Sequence, residues 1–412
     1  MKLQSVVANL NSAFLMSSCF MNLLPRVICG SFARCRQALV SAIIFTALGL
    51  SSVSPLHALE PQTLAIGAAA PDFKLPGTDD REYSLADFSD DEILMIVFTC
   101  NHCPTAQAYE QRIIDMHQDY AERGVAVVAI SPNDPLAVRL DELGYSDLND
   151  SLDDMKLRAQ QRGFKFPYLY DGDSQHASRA YGPLATPHVF IFDAHRKLRY
   201  TGRIDNSDIK KPSSHDARNA LDELLAGETV SVPQTRVFGC STKWSDKRQQ
   251  ATESLAKWDQ EVAQVSIIAP QALKRLLTEP SKNFRLVNVW ATWCGPCVAE
   301  MEQLVTIHRM YRGRDFELIT VSVDDPTARA QVQRVLQSKH CSAGNFIIDV
   351  ENQDELFQAV DQQWQGAVPY SLLIAPSGKV LERVHGEFDA LELKRKIVEQ
   401  LGRTYAPRKE TR

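Results

Sequence analysis

The stretch Leu286-Val287-Asn288-Val289-Trp290-Ala291-Thr292-Trp293-Cys294-Gly295-Pro296-Cys297-Val298-Ala299-Glu300-Met301 decides the fold. Leu286 to Trp290 is a short, mostly apolar run, the pattern of a strand buried on both faces. Two cysteines at CxxC spacing then lead into a helical stretch that reaches about Tyr311. Pro296 suits the first helical turn, where its missing N–H costs nothing. A strand that delivers a cysteine to a helix start sets its sulfur against unpaired N–H groups and the positive end of the helix dipole. A thiolate is the anion such a place favours. The spacing therefore predicts a redox-active pair in which Cys294 attacks a disulfide and Cys297, one turn on and more buried, resolves the intermediate. The competing use, half of a zinc site, needs a second CxxC or CxxH at suitable distance, and the strand-to-helix setting with Trp293 and Pro296 favours redox.

Working outward, strand-like runs surround this unit at 265–268, 317–323, near Phe346, at 371–375 and at 380–384, with helical patterns at 270–277, 328–337 and 390–401. The upstream half repeats the order. Apolar runs at 93–99, 125–130, 168–170, 189–193 and 198–203 alternate with helical patterns at 107–122, 152–162 and 215–225, and the first run also enters a CxxC, Cys100 and Cys103. In both halves a proline in an apolar context follows later, Pro187 after Thr186 and Pro369 after Val368. The repeat is architectural, and 412 residues suit two domains of this size. Between them, 238–263 reads as a connecting helix with Leu255, Trp258 and Val262 on one side.

Trp290 to Met301, with Val368-Pro369-Tyr370 and the run Ile374 to Val380, resembles the exported TlpA/ResA-like thiol-disulfide oxidoreductases of the thioredoxin superfamily, over about 265–403. The resemblance implies that Pro369 is cis and that its backbone edge receives substrate as an extended strand. Asn288 stands where thioredoxin itself carries a buried Asp and cannot accept a proton. Glu300 matches the acidic position near the disulfide, which gives it the role of base, against the plainer use as a solvated first-turn acid. Glu302 replaces a proline the family places after Met301.

The upstream half is similar to the redoxin, or AhpC/TSA-like, branch of the same superfamily, through Gly67-Ala68-Ala69-Ala70-Pro71-Asp72-Phe73-Lys74-Leu75, Phe98-Thr99-Cys100-Asn101-His102-Cys103-Pro104, Phe166 to Asp171, Thr186-Pro187 and Arg203-Ile204-Asp205. Ala185 stands where many relatives carry Cys. Peroxiredoxins place Thr or Ser three residues before the peroxidatic Cys and Pro four before that; Val97 and Ile93, or Cys100 and Ile96, do not fit, which counts against a thiol peroxidase. His102 before the second Cys resembles oxidising members such as disulfide isomerase and DsbA-like proteins, and an imidazolium there stabilises the thiolate and makes this pair the more oxidising of the two. Cys100, His102, Cys103 and His188 offer ligands for a Sco-like metal module, but those proteins use CxxxC.

The fold class expected is α/β: two thioredoxin-like domains in tandem, each a central mixed sheet flanked by helices, at 59–237 and 264–405, with a tail at 406–412. Residues 1–58 hold four basic residues and no acid, an apolar stretch from Ala38 to Val53, and Leu56-His57-Ala58, the order of a secretory signal peptide cleaved near Ala58 or retained as an anchor. That points to the periplasm or cell envelope. Removing those four basic residues from 45 leaves 41 against 51 acidic, and an acidic chain without Lys/Arg clusters does not suggest nucleic acid as partner. The expected partners are protein disulfides, an external electron donor and a membrane-bound redox partner; no nucleotide, flavin or metal cofactor is called for. Six of nine cysteines lie beyond Ala58. For Cys240, resolving Cys100 or Cys103, pairing with Cys341 and simple burial all stay open.

Overall fold

The computed structural model describes residues 61–405. The expected signal segment and the tail at 406–412 lie outside the described residues. The first half opens with a hairpin of β1 (Lys74–Pro76) and β2 (Glu82–Ser84). All six side chains of β3 (Ile93–Phe98) are buried, which is why that run has no polar position: a central strand is covered on both faces. Then come α1 (Pro104–Tyr120), β4 (Val125–Ser131), α2 (Leu152–Arg162), β5 (Tyr168–Tyr170), α3 (His176–Tyr181), β6 (Ala185–Thr186), β7 (His188–Phe192), β8 (Leu198–Gly202) and α4 (Asp216–Leu225). The sheet runs β5-β4-β3-β7-β8, with β3 parallel to β4, β4 parallel to β5, and β7 and β8 antiparallel. The parallel step from β3 to β4 needs a crossover, which α1 supplies.

After β9 (Cys240–Ser241) and α5 (Arg248–Asp259), the second half has β10 (Val265–Ile268), α6 (Pro270–Thr278), β11 (Phe284–Trp290), α7 (Gly295–Tyr311), β12 (Phe316–Ser322), α8 (Arg329–Ser338), β13 (Gly344–Ile348), α9 (Gln353–Val360), β14 (Tyr370–Ile374), β15 (Val380–His385) and α10 (Ala390–Leu401). Its sheet, β10-β13-β12-β11-β14-β15, repeats the plan of the first with β10 added at one edge. Each half is thus a mixed sheet between helices.

The connector differs from the expected helix. Only Arg248–Asp259 is α-helical, while Cys240–Ser241 turns back and pairs antiparallel with β6. The expected inward face is not the buried one: Leu255 and Val262 are exposed, Ala251 is buried, and Trp258 lies near the guanidinium groups of Arg309 and Arg312 at 5.8 and 5.7 Å. The cause is the seat of α5 on the turn Pro135–Ala137, where Arg248 pairs with Asp134 and fixes the helix rotation.

The two halves meet along one seam. Val138 and Leu143 of the first half enter the same apolar cluster as Met301, Leu304 and Ile307 of α7. The Tyr311 hydroxyl donates to the Ser146 carbonyl at 2.9 Å, and Arg314 Nη1 donates to the Gly144 carbonyl at 2.6 Å. Buried Asp147 faces Arg403 at 2.5 Å, Arg395 at 3.4 Å and Arg158 at 3.8 Å. An unpaired carboxylate there would be costly, so these guanidinium groups close the seam electrostatically as the apolar cluster closes it by burial. Among the described residues no helix is long and apolar enough to cross a membrane.

Candidate functional site

In the second half β11 ends at Trp290 and α7 starts at Gly295, with Cys294 as its N-cap. Cys294 and Cys297 form a disulfide with Cα atoms 5.3 Å apart, and the Cys297 N–H donates to the Cys294 sulfur at 3.3 Å. Cys294 is 7% exposed, Cys297 fully buried, and the neighbouring Trp293 is 70% exposed. The approach loop is held by Asp324, whose carboxylate accepts from the Thr292 N–H at 2.9 Å, the Thr292 hydroxyl at 2.8 Å and the Ser322 hydroxyl at 2.7 Å. Pro296 lies in the first turn of α7, and Pro369 follows a cis bond immediately before β14.

Glu300, one turn beyond Cys297, is buried. Its Oε1 accepts from Asn288 Nδ2 at 2.8 Å, Asn288 also donates to the Ser371 hydroxyl at 3.0 Å, and Glu300 Oε2 has no partner. Burial pushes the carboxyl up to about 7 against the opposing hydrogen bond of Asn288. The solvated-acid alternative for Glu300 does not describe this side chain. Asn288 is a donor that orients it.

The first half is built in a different register. Phe98 of β3 pairs with His188, directly after Pro187, and Val289 of β11 pairs with Tyr370, directly after Pro369. Five residues on from Phe98 and Val289 stand Cys103 and Cys294, so Cys103, not Cys100, occupies the place of the N-cap cysteine. Ala106 stands where Cys297 does. The expected CxxC opening a helix is corrected accordingly: this CxxC ends at the N-cap, because Pro104 takes N1 and starts α1 there.

Cys100 and Cys103 are both buried and free. The Cys100 sulfur lies 3.1 Å from the Thr186 hydroxyl. The Cys103 sulfur accepts from the N–H groups of Ala106 at 3.5 Å and Cys240 at 3.4 Å, and as a thiol it reaches the Thr186 carbonyl at 3.3 Å. His102 is buried, its Nδ1 2.5 Å from Asp150. Asp150 also takes the N–H groups of Asn101 at 2.8 Å and His102 at 3.1 Å and the Asn133 amide at 2.8 Å. Burial opposes the charge on this pair, yet Asp150 carries the His102 pKa above its ordinary value, and His102 in turn helps hold Asp150 below its own. Burial likewise opposes a Cys103 thiolate, but hydrogen bonds from Cys100 and Cys240, the His102 charge and the Ala106 N–H bring its pKa well below the usual thiol range. Cys100 goes the other way, chiefly through burial.

A metal fits this cluster poorly. The Cys100 sulfur, a His102 ring nitrogen and an Asp150 oxygen lie within 4.8 Å of one another, but the carboxylate already accepts from four donors, and His188 is satisfied by the Leu184 N–H at 3.2 Å and Thr201 at 3.0 Å. Burial lowers the His188 pKa to about 3. Cys341 is buried and free, against the Asn345 side-chain oxygen at 3.5 Å, so the pairing with Cys240 is not formed.

Residues 66–201 match the AhpC/TSA family and residues 276–400 match the Redoxin family. The chain is a tandem thioredoxin-superfamily protein. Among curated relatives, the tandem chain is 26% identical over 111 residues to the thiol-disulfide oxidoreductase ResA of Geobacillus thermodenitrificans, covering 27% of this chain and 59% of that one. It is 28% identical over 150 residues to ResA of Oceanobacillus iheyensis, covering 36% and 73%. The chain thus spans 59% of the length of the first of these relatives. Among solved structures, a hypothetical protein of Sinorhizobium meliloti is 33% identical, covering 45% of this chain and 97% of that one with a TM-score of 0.40. An uncharacterized conserved protein of Geobacillus kaustophilus is 35% identical, covering 45% and 94%, also at 0.40.

Proposed function

We propose that this protein is a thiol-disulfide oxidoreductase that exchanges disulfides with protein substrates through Cys294 and Cys297. The observation that carries the reading is the pair itself: a nearly buried sulfur capping α7, a fully buried one a turn later, and an exposed indole, Trp293, beside them. In the reduced form the Cys294 thiolate attacks a substrate sulfur, the first substrate thiolate leaves, and Cys297 then attacks Cys294 and releases the second. Glu300, held near neutrality by burial, takes the Cys297 proton. Cofactor-free exchange of this kind needs an external electron donor to restore the dithiol. The ResA relatives support the reaction class; the basic-then-apolar N-terminus supports export to the cell envelope and a membrane-bound redox partner there.

The test is a full chain with Cys297→Ser mixed with a disulfide-bonded model protein. A mixed disulfide should accumulate on Cys294, and Cys294→Ser should prevent it and slow turnover. Turnover at the unsubstituted rate by Cys294→Ser would end the reading.

A further inference from the structure

The edge next to Pro187 is already occupied. β9 pairs antiparallel with β6, Cys240 opposite Thr186 and Ser241 opposite Ala185. Among the described residues, no strand pairs with Ala367 or Val368, the matching edge of the second half. Where an extended partner strand would lie beside the cysteine, the first half carries a piece of its own chain, and that piece holds a thiol.

The placement is built, not incidental. Gly239 has φ of +142°, and a Cβ there would come within 2.1 Å of the Thr186 carbonyl oxygen, so only glycine admits this approach. Phe238 packs on Tyr109 with ring centroids 6.2 Å apart. Downstream, the Thr242 hydroxyl donates to the Pro183 carbonyl at 2.9 Å, and the Lys243 N–H donates to Asn133 at 2.8 Å. Both flanks of Cys240 are thus fixed, its N–H donates to the Cys103 sulfur, and its side chain joins the Cys100, Cys103 and Ala106 cluster.

We infer that Cys240 is a resolving thiol for Cys103, making the first half a three-cysteine redox site that completes its disulfide within the chain. The Cys103 thiolate attacks one sulfur of a partner disulfide, forming a Cys103 mixed disulfide and releasing one partner thiolate. Cys240 gives up its proton and attacks the Cys103 sulfur, the Cys103–Cys240 disulfide forms, and the second partner thiolate leaves. Two thiols are oxidised and one partner disulfide is reduced to two thiols. Cys100, in the same cluster, can then displace Cys240 by the same chemistry.

The electrostatics suit that order. While Cys103 is a thiolate, its hydrogen bond and charge, with burial, hold the Cys240 pKa up. Once the Cys103 sulfur is in a neutral mixed disulfide, the charge that held the Cys240 proton is gone and the thiolate forms more readily. The fixed flanks supply proximity of the kind that makes a second, intramolecular step outrun a bimolecular one.

This inference does not depend on the reading of Cys294 and Cys297, and the experiment removes them. A full chain carrying Cys100→Ser, Cys294→Ser and Cys297→Ser is reduced, then treated with oxidised glutathione, and its linkages are mapped by peptide mass spectrometry without reduction. The expected product is the Cys103–Cys240 disulfide with no lasting glutathione on Cys103. Adding Cys240→Ser should leave glutathione on Cys103 with a lifetime about ten-fold longer or more. Equal lifetimes with and without Cys240 would overturn the inference, as would failure of Cys103 to react in both. A second measurement needs no substitution: the native chain, oxidised the same way, should contain Cys103–Cys240 alongside Cys100–Cys103, and a product holding only the latter also overturns it.

Discussion

Glu300→Gln should make the folded protein more stable at alkaline pH and leave it unchanged in acid. The buried carboxyl is carried from 4.5 to about 7, and burial is the main cause. Its charged form is therefore better accommodated in the unfolded chain, which releases its proton first. Between about pH 4.5 and about pH 7 the folded state binds more protons, so native stability falls as pH rises through that window. At about 1.4 kcal/mol per pH unit of displacement the ceiling is about 3 kcal/mol, and residual solvent screening brings it to about 2 kcal/mol. The Gln side chain keeps an oxygen to accept from Asn288 and carries no proton to lose. Urea unfolding of the oxidised protein, followed by circular dichroism, should give equal free energies for native and variant near pH 4 and a variant more stable by about 2 kcal/mol near pH 8. A difference of the same size at both pH values would refute the reasoning, because it would owe nothing to ionisation.

Asp150→Asn removes the carboxylate that holds the charge on His102, so alkylation of Cys103 should need a higher pH than in the native chain; an unchanged pH profile of alkylation would count against the His102 charge. Asp147→Asn removes a buried carboxylate that faces Arg158, Arg395 and Arg403 and should destabilise the chain by about 3 kcal/mol near neutral pH. Burial pushes the Asp147 pKa up, but the Arg403 hydrogen bond and charge hold it below its ordinary value, so this contribution is present above the unfolded pKa and lost as pH falls through the folded one. Native and variant urea midpoints should therefore converge in acid. Gly239→Ala should lift Cys240 away from Thr186 and raise the alkylation rate of Cys103; an unchanged rate would show that β9 does not shield it. In titrations against glutathione the Cys103 site should be more oxidising than Cys294–Cys297, and the reverse order would contradict thiolate stabilisation at Cys103.

The central strands were legible because burial on both faces leaves a mark in composition: Ile93 to Phe98 and Leu286 to Trp290 contain almost no polar residue. Helix starts were less so. The α1 pattern by periodicity begins near Gln107, but Pro104 sets the true start, and with it the register that makes Cys103 rather than Cys100 the N-cap. That proline was the signal. The short α9 is likewise announced by Asn352 three residues before Glu355, whose N–H it caps at 3.0 Å. Asp150 had no local signature, since its meaning comes from His102, 48 residues away in sequence. β9 had none either: two residues carry no periodicity, and the glycine that admits the strand acts only against Thr186.

The loop from Asn133 to Asp150 serves two neighbours at once. Its ends hold His102 and Lys243 at the first cysteine site, and its middle, through Leu143, Ser146 and Asp147, is the surface on which α7 and α10 rest. The halves are therefore poor cassettes. Excising the second would uncover Leu143 and strand Asp147 without Arg395 and Arg403, and the same loop carries the carboxylate that charges His102. At this loop the two halves form a single unit whose parts must be replaced together.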